Sequence, residues 1–463
     1  MKTIPRITAL FALIALLLSA CGGTATPPAT APTAAPPAPA DATAAPPAAA
    51  DATAAPAADA TAAPAPAASG DKVPLTLWIF EGEEQFLPKL KEAFEAKNPN
   101  ITLEITQIPE DQYVTKIDTA LAANDPPDIS FVYEKRWLKA AKFLPLDELI
   151  AAKGINLKTF NQGIMQDSCT YEGKIYCLGS YTGAVVLFYN KDMFDAAKVA
   201  YPSPTKAMTL DDYAAAAAQL AKPNDDIQQR VWGTATAGAP FWWMDQRTEF
   251  SADGRKIDGV VNNEATVHTY DLLSKMVKDG NAPSSSDMQA LGDTDLFAQK
   301  KAAMAIGDFS ALSTLEAQGV NYGVAPVPAP KGSDPWVPVW TDAFGVFSQS
   351  KHPNEAKEFL GFLATDGQRL RVQVAGDVPL DNAIADEVNW AGDKVGRKEF
   401  LQVIKLARPG VFVPSFWDVV GPLNDAFTAM VEENKPAKEA LEEVAPQMQD
   451  SLDKAWETWE QIK

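Results

Sequence analysis

The chain has 463 residues with 60 acidic and 40 basic side chains, a formal net charge of -20, and it contains 2 histidines and 3 cysteines. This acidic balance argues against nucleic acid as a partner, because binding a phosphate backbone requires a basic surface. With two histidines, histidine-based catalytic triads and histidine-rich metal sites are disfavoured, whereas catalysis by carboxylates stays open.

Residues 1–20 have the pattern of a secretory signal peptide. Lys2 and Arg6 precede an apolar stretch from Ile7 to Leu18, which is shorter than the roughly 20 residues of a membrane span. The closing sequence Leu18-Ser-Ala-Cys21 resembles the lipobox of bacterial lipoproteins, in which the cysteine carries lipid and becomes the mature N-terminus. We therefore expect an exported protein attached through Cys21 to the outer face of the cell membrane, in an extracellular or periplasmic location. The alternative is an ordinary signal cleaved nearby, with Cys21 unmodified.

Residues 21–72 are expected to form a lipid-anchored, disordered linker. Most of this stretch is Ala, Pro, Thr and Gly, with Asp-Ala-Thr-Ala-Ala-Pro at 41–46, 51–56 and 59–64. Such a segment has no large apolar side chains to bury, so nothing offsets the entropy of ordering it. The remaining residues, 73–463, form a segment that is too long to fold around a single hydrophobic core, so we predict two lobes.

The folded part begins with alternating strands and helices. Apolar periodicity predicts strands at 73–79, 101–108 and 128–132 and helices at 83–97 and 113–123. This alternation is typical of a parallel, doubly wound sheet, in which ligands bind at the carboxyl ends of the strands. The loops that follow the first and third strands, 80–83 and 133–137, are therefore candidate ligand loops.

Cys169 and Cys177 flank a predicted β-hairpin whose turn is centred on Gly173. In such a hairpin the two cysteines lie opposite each other at the separation that a disulfide requires. Export exposes them to an oxidising compartment, so we expect a disulfide. Two free thiols are the alternative.

The rest of the chain is also mixed α/β. Strands are predicted at 185–189, 302–306, 322–325 and 343–347, and helices at 210–220, 263–278, 354–374, 422–433 and from 436 to the end. Thr209 and Asp212 fit a capping box at the start of the alanine-rich helix that ends at Leu220. The last helix carries an apolar stripe from Leu441 to Ile462, which we assign to core packing.

An ordered set of short motifs resembles the extracellular solute-binding proteins of ABC importers, specifically the large sugar-binding group that includes maltose-binding protein. The motifs are Leu75-Thr-Leu-Trp-Ile-Phe80, Phe94-Glu-Ala-Lys-Asn-Pro99, Pro127-Asp-Ile129, Gly173-Lys-Ile-Tyr176, Leu187-Phe-Tyr-Asn-Lys-Asp-Met-Phe194, Ala303-Met-Ala-Ile-Gly307, Val320-Asn-Tyr-Gly-Val324 and His352-Pro-Asn-Glu-Ala-Lys-Glu-Phe-Leu360. Each is weak alone, but together they span nearly all of 73–463.

The resemblance implies a periplasmic-binding-protein-like fold of two α/β lobes, each a mostly parallel sheet flanked by helices, with the ligand in the cleft between them. The N-terminal lobe would hold 73–183 and 343–395, and the C-terminal lobe 184–342 and 396–463. The implied function is to capture a monosaccharide or oligosaccharide and deliver it to an ABC permease. We expect a monomer with no cofactor, no metal and no enzymatic activity.

Aromatic side chains are the first candidates for the ligand site, because flat rings cover the C–H faces of sugars. Trp242 and Trp243 follow Phe241 in a stretch that resembles an aromatic loop of the family, and one of the two tryptophans should face the cleft and the other the core. Phe309 occupies the place of a tryptophan platform in many relatives. Trp340 and Trp417 match stretches near the second and final crossings. The remaining aromatic candidates are Phe80, Tyr133 and Tyr181. For each aromatic residue the alternative is a packing role, in a core, between the lobes or, for Tyr181, at the hinge.

Carboxylates are the second class of candidates, because charged acceptors bind hydroxyl groups strongly. They are Glu81, Glu83, Glu134, Asp308 and Asp342. We favour Glu81, since it lies at the carboxyl end of the first strand in a loop that the family uses for ligand. A solvated acidic rim is the alternative.

Two other functions stay open at the level of sequence. The same fold could bind a cationic ligand such as a polyamine or basic peptide, as the acidic loops suggest. An exported glycosidase would need two carboxylates about 5 to 9.5 Å apart across a scissile bond. No phosphate loop, nucleophile elbow or metal-spaced cluster is present in the sequence to favour another enzyme class.

Overall fold

A computed structural model describes residues 72–236, 238–292 and 294–463. The predicted signal peptide, the Cys21 lipidation site and the linker as far as residue 71 lie outside these residues. The strands are, in chain order, β1 (Val73–Phe80), β2 (Ile101–Ile108), β3 (Ile129–Phe131), β4 (Thr170–Tyr171), β5 (Lys174–Ile175), β6 (Gly183–Asn190), β7 (Met304–Asp308), β8 (Tyr322–Ala325), β9 (Val339–Trp340) and β10 (Phe344–Val346).

The α-helices account for most of the remaining regular structure, and within the described ranges each helix is too short or too polar to span a lipid bilayer. They are α1 (Phe86–Lys97), α2 (Glu110–Ala122), α3 (Lys135–Lys139), α4 (Asp147–Lys153), α5 (Gln162–Ile164), α6 (Lys191–Ala197), α7 (Leu210–Leu220), α8 (Glu264–Lys278), α9 (Ser285–Leu291), α10 (Ala311–Ala317), α11 (Pro353–Phe362), α12 (Gln368–Val374), α13 (Asn382–Glu387), α14 (Val395–Val403), α15 (Phe416–Val420), α16 (Pro422–Glu432) and α17 (Ala437–Gln461). A π-helical segment, Leu363–Gly367, joins α11 to α12.

The first sheet has the strand order β10-β3-β1-β2, in which β1 runs parallel to both β2 and β3 and β10 is antiparallel to β3. Strand β1 buries Leu75, Leu77 and Ile79 on one face, as its alternation predicts. Because the parallel strands end at one edge of the sheet, the loops after β1 and β3 meet there, and the rings of Phe80 and Tyr133 are 5.5 Å apart. The predicted parallel arrangement is confirmed for this sheet.

The second sheet is built differently. Strand β6 pairs with β7, β8 and β9, and each of these pairings is antiparallel. The expectation of a mostly parallel sheet in each lobe is therefore wrong for the described strands of the second lobe. A parallel pair requires a crossover connection, usually one helix, whereas several helices separate β6 from β7, so alternation along the chain does not fix strand direction here.

Strand β6 separates two hydrophobic cores, and all 8 of its residues are buried. Val185, Leu187 and Tyr189 pack into one core with residues of α7, α8, α16 and α17. The alternate residues, Ala184, Val186 and Phe188, pack into the other with residues of α10, α13 and α14. The second sheet is thus covered on both faces, and this explains the uninterrupted apolar run in its sequence.

Within the described chain, three segments cross between the core of the first lobe and those of the second: 178–183, 340–344 and 378–381. Leu178 pairs with Phe344, and the backbone N–H of Thr182 donates to the carbonyl oxygen of Val378 at 2.7 Å. Leu380 belongs to the first core, whereas Ala385 and Trp390 pack with the second sheet. Val378, on the other side of Leu380, also packs with the second sheet, and the predicted lobe boundaries, including the one at 395, stay predictions.

Cys169 and Cys177 lie at the two sides of a small antiparallel hairpin. Strands β4 and β5 pair through Thr170–Ile175 and Tyr171–Lys174, with Gly173 at φ 76° in the turn. The two cysteines are joined by a disulfide with a Cα–Cα distance of 4.8 Å. The hairpin carries this bond into the core of the first lobe, where both cysteines are fully buried.

Helix α3 of the first lobe contacts the C-terminal region of the second. Lys139 Nζ donates to the carbonyl oxygen of Trp459 at 2.6 Å and lies 4.9 Å from the centroid of its ring. Lys135 Nζ lies 5.0 Å from the ring centroid of Phe412. Core packing is confirmed for Leu441, Met448 and Leu452 in the apolar stripe of α17, whereas Trp459 at its far end takes part in this contact between lobes.

Candidate ligand-binding site

Two predicted carboxylates meet at a buried arginine beside the crossing segments. Glu83 Oε1 accepts from Arg371 Nη2 at 2.6 Å, and Asp342 Oδ2 accepts from Arg371 Nη1 at 2.8 Å. A third carboxylate, Asp377, accepts from Nε of the same arginine at 2.7 Å. The sequence positions of these groups are far apart, so the fold alone assembles the cluster.

Glu83 and Asp342 are buried in this cluster, and burial is the main cause of the change in the pKa of each. Burial, with a further contribution from Asp342, raises the pKa of Glu83 from 4.5 to about 7, although Arg371 opposes the shift. Burial also raises the pKa of Asp342, again against the effect of Arg371. Glu83 is therefore a group that changes charge near neutral pH.

Three predicted aromatic residues form a row that starts at this cluster. The ring of Tyr181 lies 4.1 Å from the Arg371 guanidinium carbon and 5.3 Å from the ring of Phe309. The ring of Phe309 lies 6.3 Å from that of Trp340 in an edge-to-face arrangement. Tyr181 is buried, whereas Phe309 and Trp340 are half-buried. The row brings Tyr181, Phe309 and Trp340 together with Glu83 and Asp342.

Phe80 and Tyr133 form a second aromatic group at the edge of the first sheet. Phe80 packs edge-to-face on Tyr113 at 4.5 Å and on Phe131 at 5.0 Å, and these contacts fix its ring on the sheet. Tyr133, which is 38% exposed, covers Phe80 from outside. Of the two predicted residues, Tyr133 is thus the one that presents an aromatic face to solvent.

Glu134 lies where the two lobes approach each other. Burial raises its pKa, Arg136 opposes the shift, and Asp118 and Asp418 add to it. Asp418 belongs to helix α15 of the second lobe, so both lobes contribute to the electrostatic surroundings of Glu134. Trp417, the neighbour of Asp418, is 60% exposed and contacts Phe416 at 5.2 Å.

Of the two adjacent tryptophans in the second lobe, one is buried and the other is exposed. Trp243 is 1% exposed and packs in the core, so its place among the predicted ligand contacts is corrected to a packing role. Trp242 is 37% exposed and is the one available to a ligand. Trp242 is the last residue of a 3-10 helix, Pro240–Trp242, and Trp243 is its C-cap. The side chain of Phe241 lies outside the described part of the structure.

Glu81 and Asp308 do not join the central cluster. Both are exposed, and Asp308 Oδ1 accepts from the backbone N–H of Ser310 at 2.7 Å. Glu83, two residues beyond the favoured Glu81, is instead the loop carboxylate that meets Arg371. A separate cavity of about 170 Å³ in the second lobe, beside Asp245 and Trp336, is lined by none of the predicted site residues.

A family model described as bacterial extracellular solute-binding protein matches residues 79–370. The chain belongs to this family. The resemblance seen in the motifs is thereby confirmed, and membership indicates a protein that acts outside the cytoplasm.

Relatives of this solute-binding protein share modest identity over most of its length. A binding protein of Brucella abortus (strain 2308) is 26% identical over 359 residues, which is 74% of this chain and 84% of that one. An arabinooligosaccharide-binding protein of Bacillus subtilis (strain 168) is 26% identical over 328 residues, covering 66% and 73% of the two chains. An ABC substrate-binding protein of Listeria monocytogenes, solved in complex with cycloalternan, shares the two-lobe fold with a TM-score of 0.69, 22% identity and coverage of 83% and 99%.

Arg371 and Asp377 were not predicted from the sequence of this solute-binding protein. One signal was available: in the predicted helix 354–374, Arg371 lies four residues after Gly367 and seven after Ala364, so it shares a helical face with these two buried positions. A charged residue at a core position requires buried partners of opposite charge.

Among the described residues, no group of three or more His, Cys, Asp or Glu side chains is arranged to hold a metal ion.

Proposed function

We propose that this protein is a lipid-anchored extracellular receptor that captures a carbohydrate between its lobes and delivers it to an ABC permease, without chemical conversion. The observation that carries the proposal is the row Tyr181, Phe309 and Trp340 beside the carboxylates Glu83 and Asp342. Aromatic faces suit the C–H side of pyranose or furanose rings, and charged acceptors suit their hydroxyl groups. Relatives named for arabinooligosaccharide binding, or solved with cycloalternan, support this ligand class.

In this proposal the site residues fall into three groups around the cleft. The floor consists of Glu83, Tyr181, Phe309, Trp340 and Asp342. The first-lobe wall carries Phe80, Glu81, Tyr133 and Glu134. The second-lobe wall carries Trp242, Asp308 and Trp417.

A thermal-shift panel on the full chain tests the proposal. A carbohydrate at 100 times its dissociation constant should stabilise the folded state by about 2.7 kcal/mol. The panel contains maltotriose, arabinotriose, cycloalternan, spermidine and a lysine-rich peptide. Stabilisation by spermidine alone, with none from the sugars, would overturn the carbohydrate assignment.

A cationic ligand is the second candidate, favoured by the three carboxylates that share one arginine. Screening weakens attraction between charges, so the affinity for a cationic ligand should fall steeply when salt is raised from about 0.05 to about 0.5 M, whereas the affinity for a neutral sugar should change little.

A glycosidase is tested separately by incubating the protein with each oligosaccharide. Release of shorter sugars at a catalytic rate would establish turnover.

Lipid attachment at Cys21 and the monomeric state belong to the same proposal. Labelled palmitate should enter the wild-type protein and not the Cys21→Ala variant. Absence of label from the wild type would leave Cys21 unmodified. Size-exclusion chromatography with light scattering should give the mass of one chain.

A further inference from the structure

In the described chain, one buried arginine contacts the first two crossing segments and the residue that directly precedes the third. Arg371 Nη1 donates to Ser180 Oγ at 3.4 Å in the first crossing and to Asp342 Oδ2 at 2.8 Å in the second. Its Nε donates to Asp377 Oδ2 at 2.7 Å, directly before the third. Its Nη2 donates to Glu83 Oε1 at 2.6 Å, in the loop after β1. Four distant parts of the chain thus share one guanidinium group.

These four partners engage all three nitrogen atoms of the Arg371 guanidinium group. The side chain of Arg371 is 5% exposed, and the rings of Phe86 and Tyr181 lie 4.6 and 4.1 Å from its guanidinium carbon. A group enclosed in this way acts on a ligand only through its neighbours. Two of those neighbours, Glu83 and Asp342, are carboxylates of the proposed site.

We infer that Arg371 is a positioning residue that holds the three crossings in one arrangement and sets Glu83 and Asp342 as acceptors on the floor of the cleft. The part of this inference that concerns ligand affinity rests on the proposed function, while the part that concerns the crossings does not. The guanidinium fork supplies several donors in fixed directions, whereas a lysine ammonium is a point charge that cannot match four acceptors in one plane.

Removing the arginine changes both geometry and charge. The groups that face it are Glu83, Asp342, Asp377 and Tyr181, so without the cation three carboxylates and a phenol remain in one buried cluster. Like charges at this range repel, so the carboxylates must separate or take up protons. Either response displaces the acceptors from the cleft floor and makes ligand affinity depend more steeply on pH.

Arg397 provides a matched control in the second lobe. It pairs with Glu316 through Nε–Oε1 at 2.7 Å and Nη2–Oε2 at 3.0 Å, and its guanidinium carbon lies 4.8 Å from the ring of Trp390. Its side chain is also largely buried, at 16% exposed. It therefore has the same kind of surroundings, without the contacts to the crossings.

Hydrogen exchange of the full chain without ligand tests the hinge role. Arg371→Lys should raise amide exchange at least tenfold in 178–183, 340–344 and 378–381 together, while Arg397→Lys leaves these segments unchanged. Asp377→Asn removes a single partner and should loosen 378–381 alone, so it gives a result even if Arg371→Lys fails to fold. Unchanged exchange at the crossings in the variants that fold, or an equal rise with Arg397→Lys, would overturn the inference.

Calorimetry with maltotriose and arabinotriose over pH 5.5–8.5 tests the effect on affinity. Arg371→Lys, which keeps the charge but not the fork of donors, should weaken binding at least tenfold at pH 7.5, whereas Arg397→Lys should match the wild type. Arg371→Gln, which removes the cation, should also steepen the pH profile, and Arg397→Gln should not. Equal affinity in Arg371→Lys, together with an unchanged pH profile in Arg371→Gln, would overturn the positioning of Glu83 and Asp342. If the wild type binds neither sugar, the proposed function fails, and the exchange measurement still decides the hinge role.

Discussion

Trp340 packs directly on Gly183 where two crossing segments pair, and a Cβ atom built on Gly183 would lie 2.3 Å from Cε2 of the indole. This close approach fixes the indole beside Phe309. We predict that Gly183→Ala lowers the free energy of unfolding by about 1–3 kcal/mol, the usual cost of overpacking. Gly307→Ala is the control, because a Cβ there meets only Phe188 at 3.8 Å. Urea unfolding measures both, and equal stabilities would contradict the packing argument.

Trp340 and Trp417 are the aromatic residues whose removal should reduce affinity most directly. We expect Trp340→Ala and Trp417→Ala each to weaken carbohydrate binding tenfold or more, or about 1.4 kcal/mol, through loss of ring contact with the sugar. Tyr201→Ala is the control, since Tyr201 is 45% exposed in the second lobe and belongs to none of the site groups. Calorimetry measures all three. Unchanged affinity in both tryptophan variants would remove these residues from the site.

Glu249 should make the stability of the protein fall as pH rises. This carboxyl is fully buried, and burial raises its pKa from 4.5 to about 8 despite a hydrogen bond from Tyr270. Between these values the unfolded chain has lost the proton and the folded chain keeps it. The stabilising contribution is therefore complete below pH 4.5 and declines by about 1.4 kcal/mol per pH unit up to about 8. Glu249→Gln should remove this decline in urea unfolding at several pH values.

The contribution of Glu316 to stability should depend on pH in the opposite direction to that of Glu249. Burial alone would raise its pKa, but hydrogen bonds from Arg397 and Lys394 outweigh burial and lower it. The ionised Glu316 carboxylate stabilises the folded protein at pH values above the pKa that this group has in the unfolded chain. This stabilisation is lost as the pH falls. Glu316→Gln should therefore destabilise the protein at pH 7, whereas Glu249→Gln should stabilise it. Matching pH profiles for wild type and Glu249→Gln would show that Glu249 titrates normally.

The disulfide between Cys169 and Cys177 should persist in the exported protein. Digestion without reductant should yield one linked peptide that contains both cysteines and separates after reduction. We expect Cys177→Ser to lower the free energy of unfolding by about 2–4 kcal/mol. Detection of the two free peptides before reduction would contradict the bond.

Local patterns were sufficient to predict the first lobe and not the second sheet. Strands β1 to β3 alternate with helices, and this alternation is enough to predict a parallel sheet even though β3 pairs with β1 and not with β2. Strands β6 and β7 are separated by more than 100 residues, and periodicity carries no information about their relative direction. The same limit explains why Arg371 was missed, since its partners Glu83, Asp342 and Asp377 come from separate segments. Trp242 and Trp243 could not be told apart because adjacent residues share one local pattern.

The two faces of strand β6 give the protein an unusual sensitivity to changes of chain length. A one-residue insertion or deletion in a strand exchanges all of its inward and outward side chains. In β6 this exchange would send Val185, Leu187 and Tyr189 into the space of Ala184, Val186 and Phe188, so two cores with different volumes would be mispacked together. The same slip would move Gly183 away from Trp340 and place a larger residue against the indole. In homologous chains, the side chains of β6 should therefore vary, whereas insertions and deletions within β6 or between it and residue 178 should be rare.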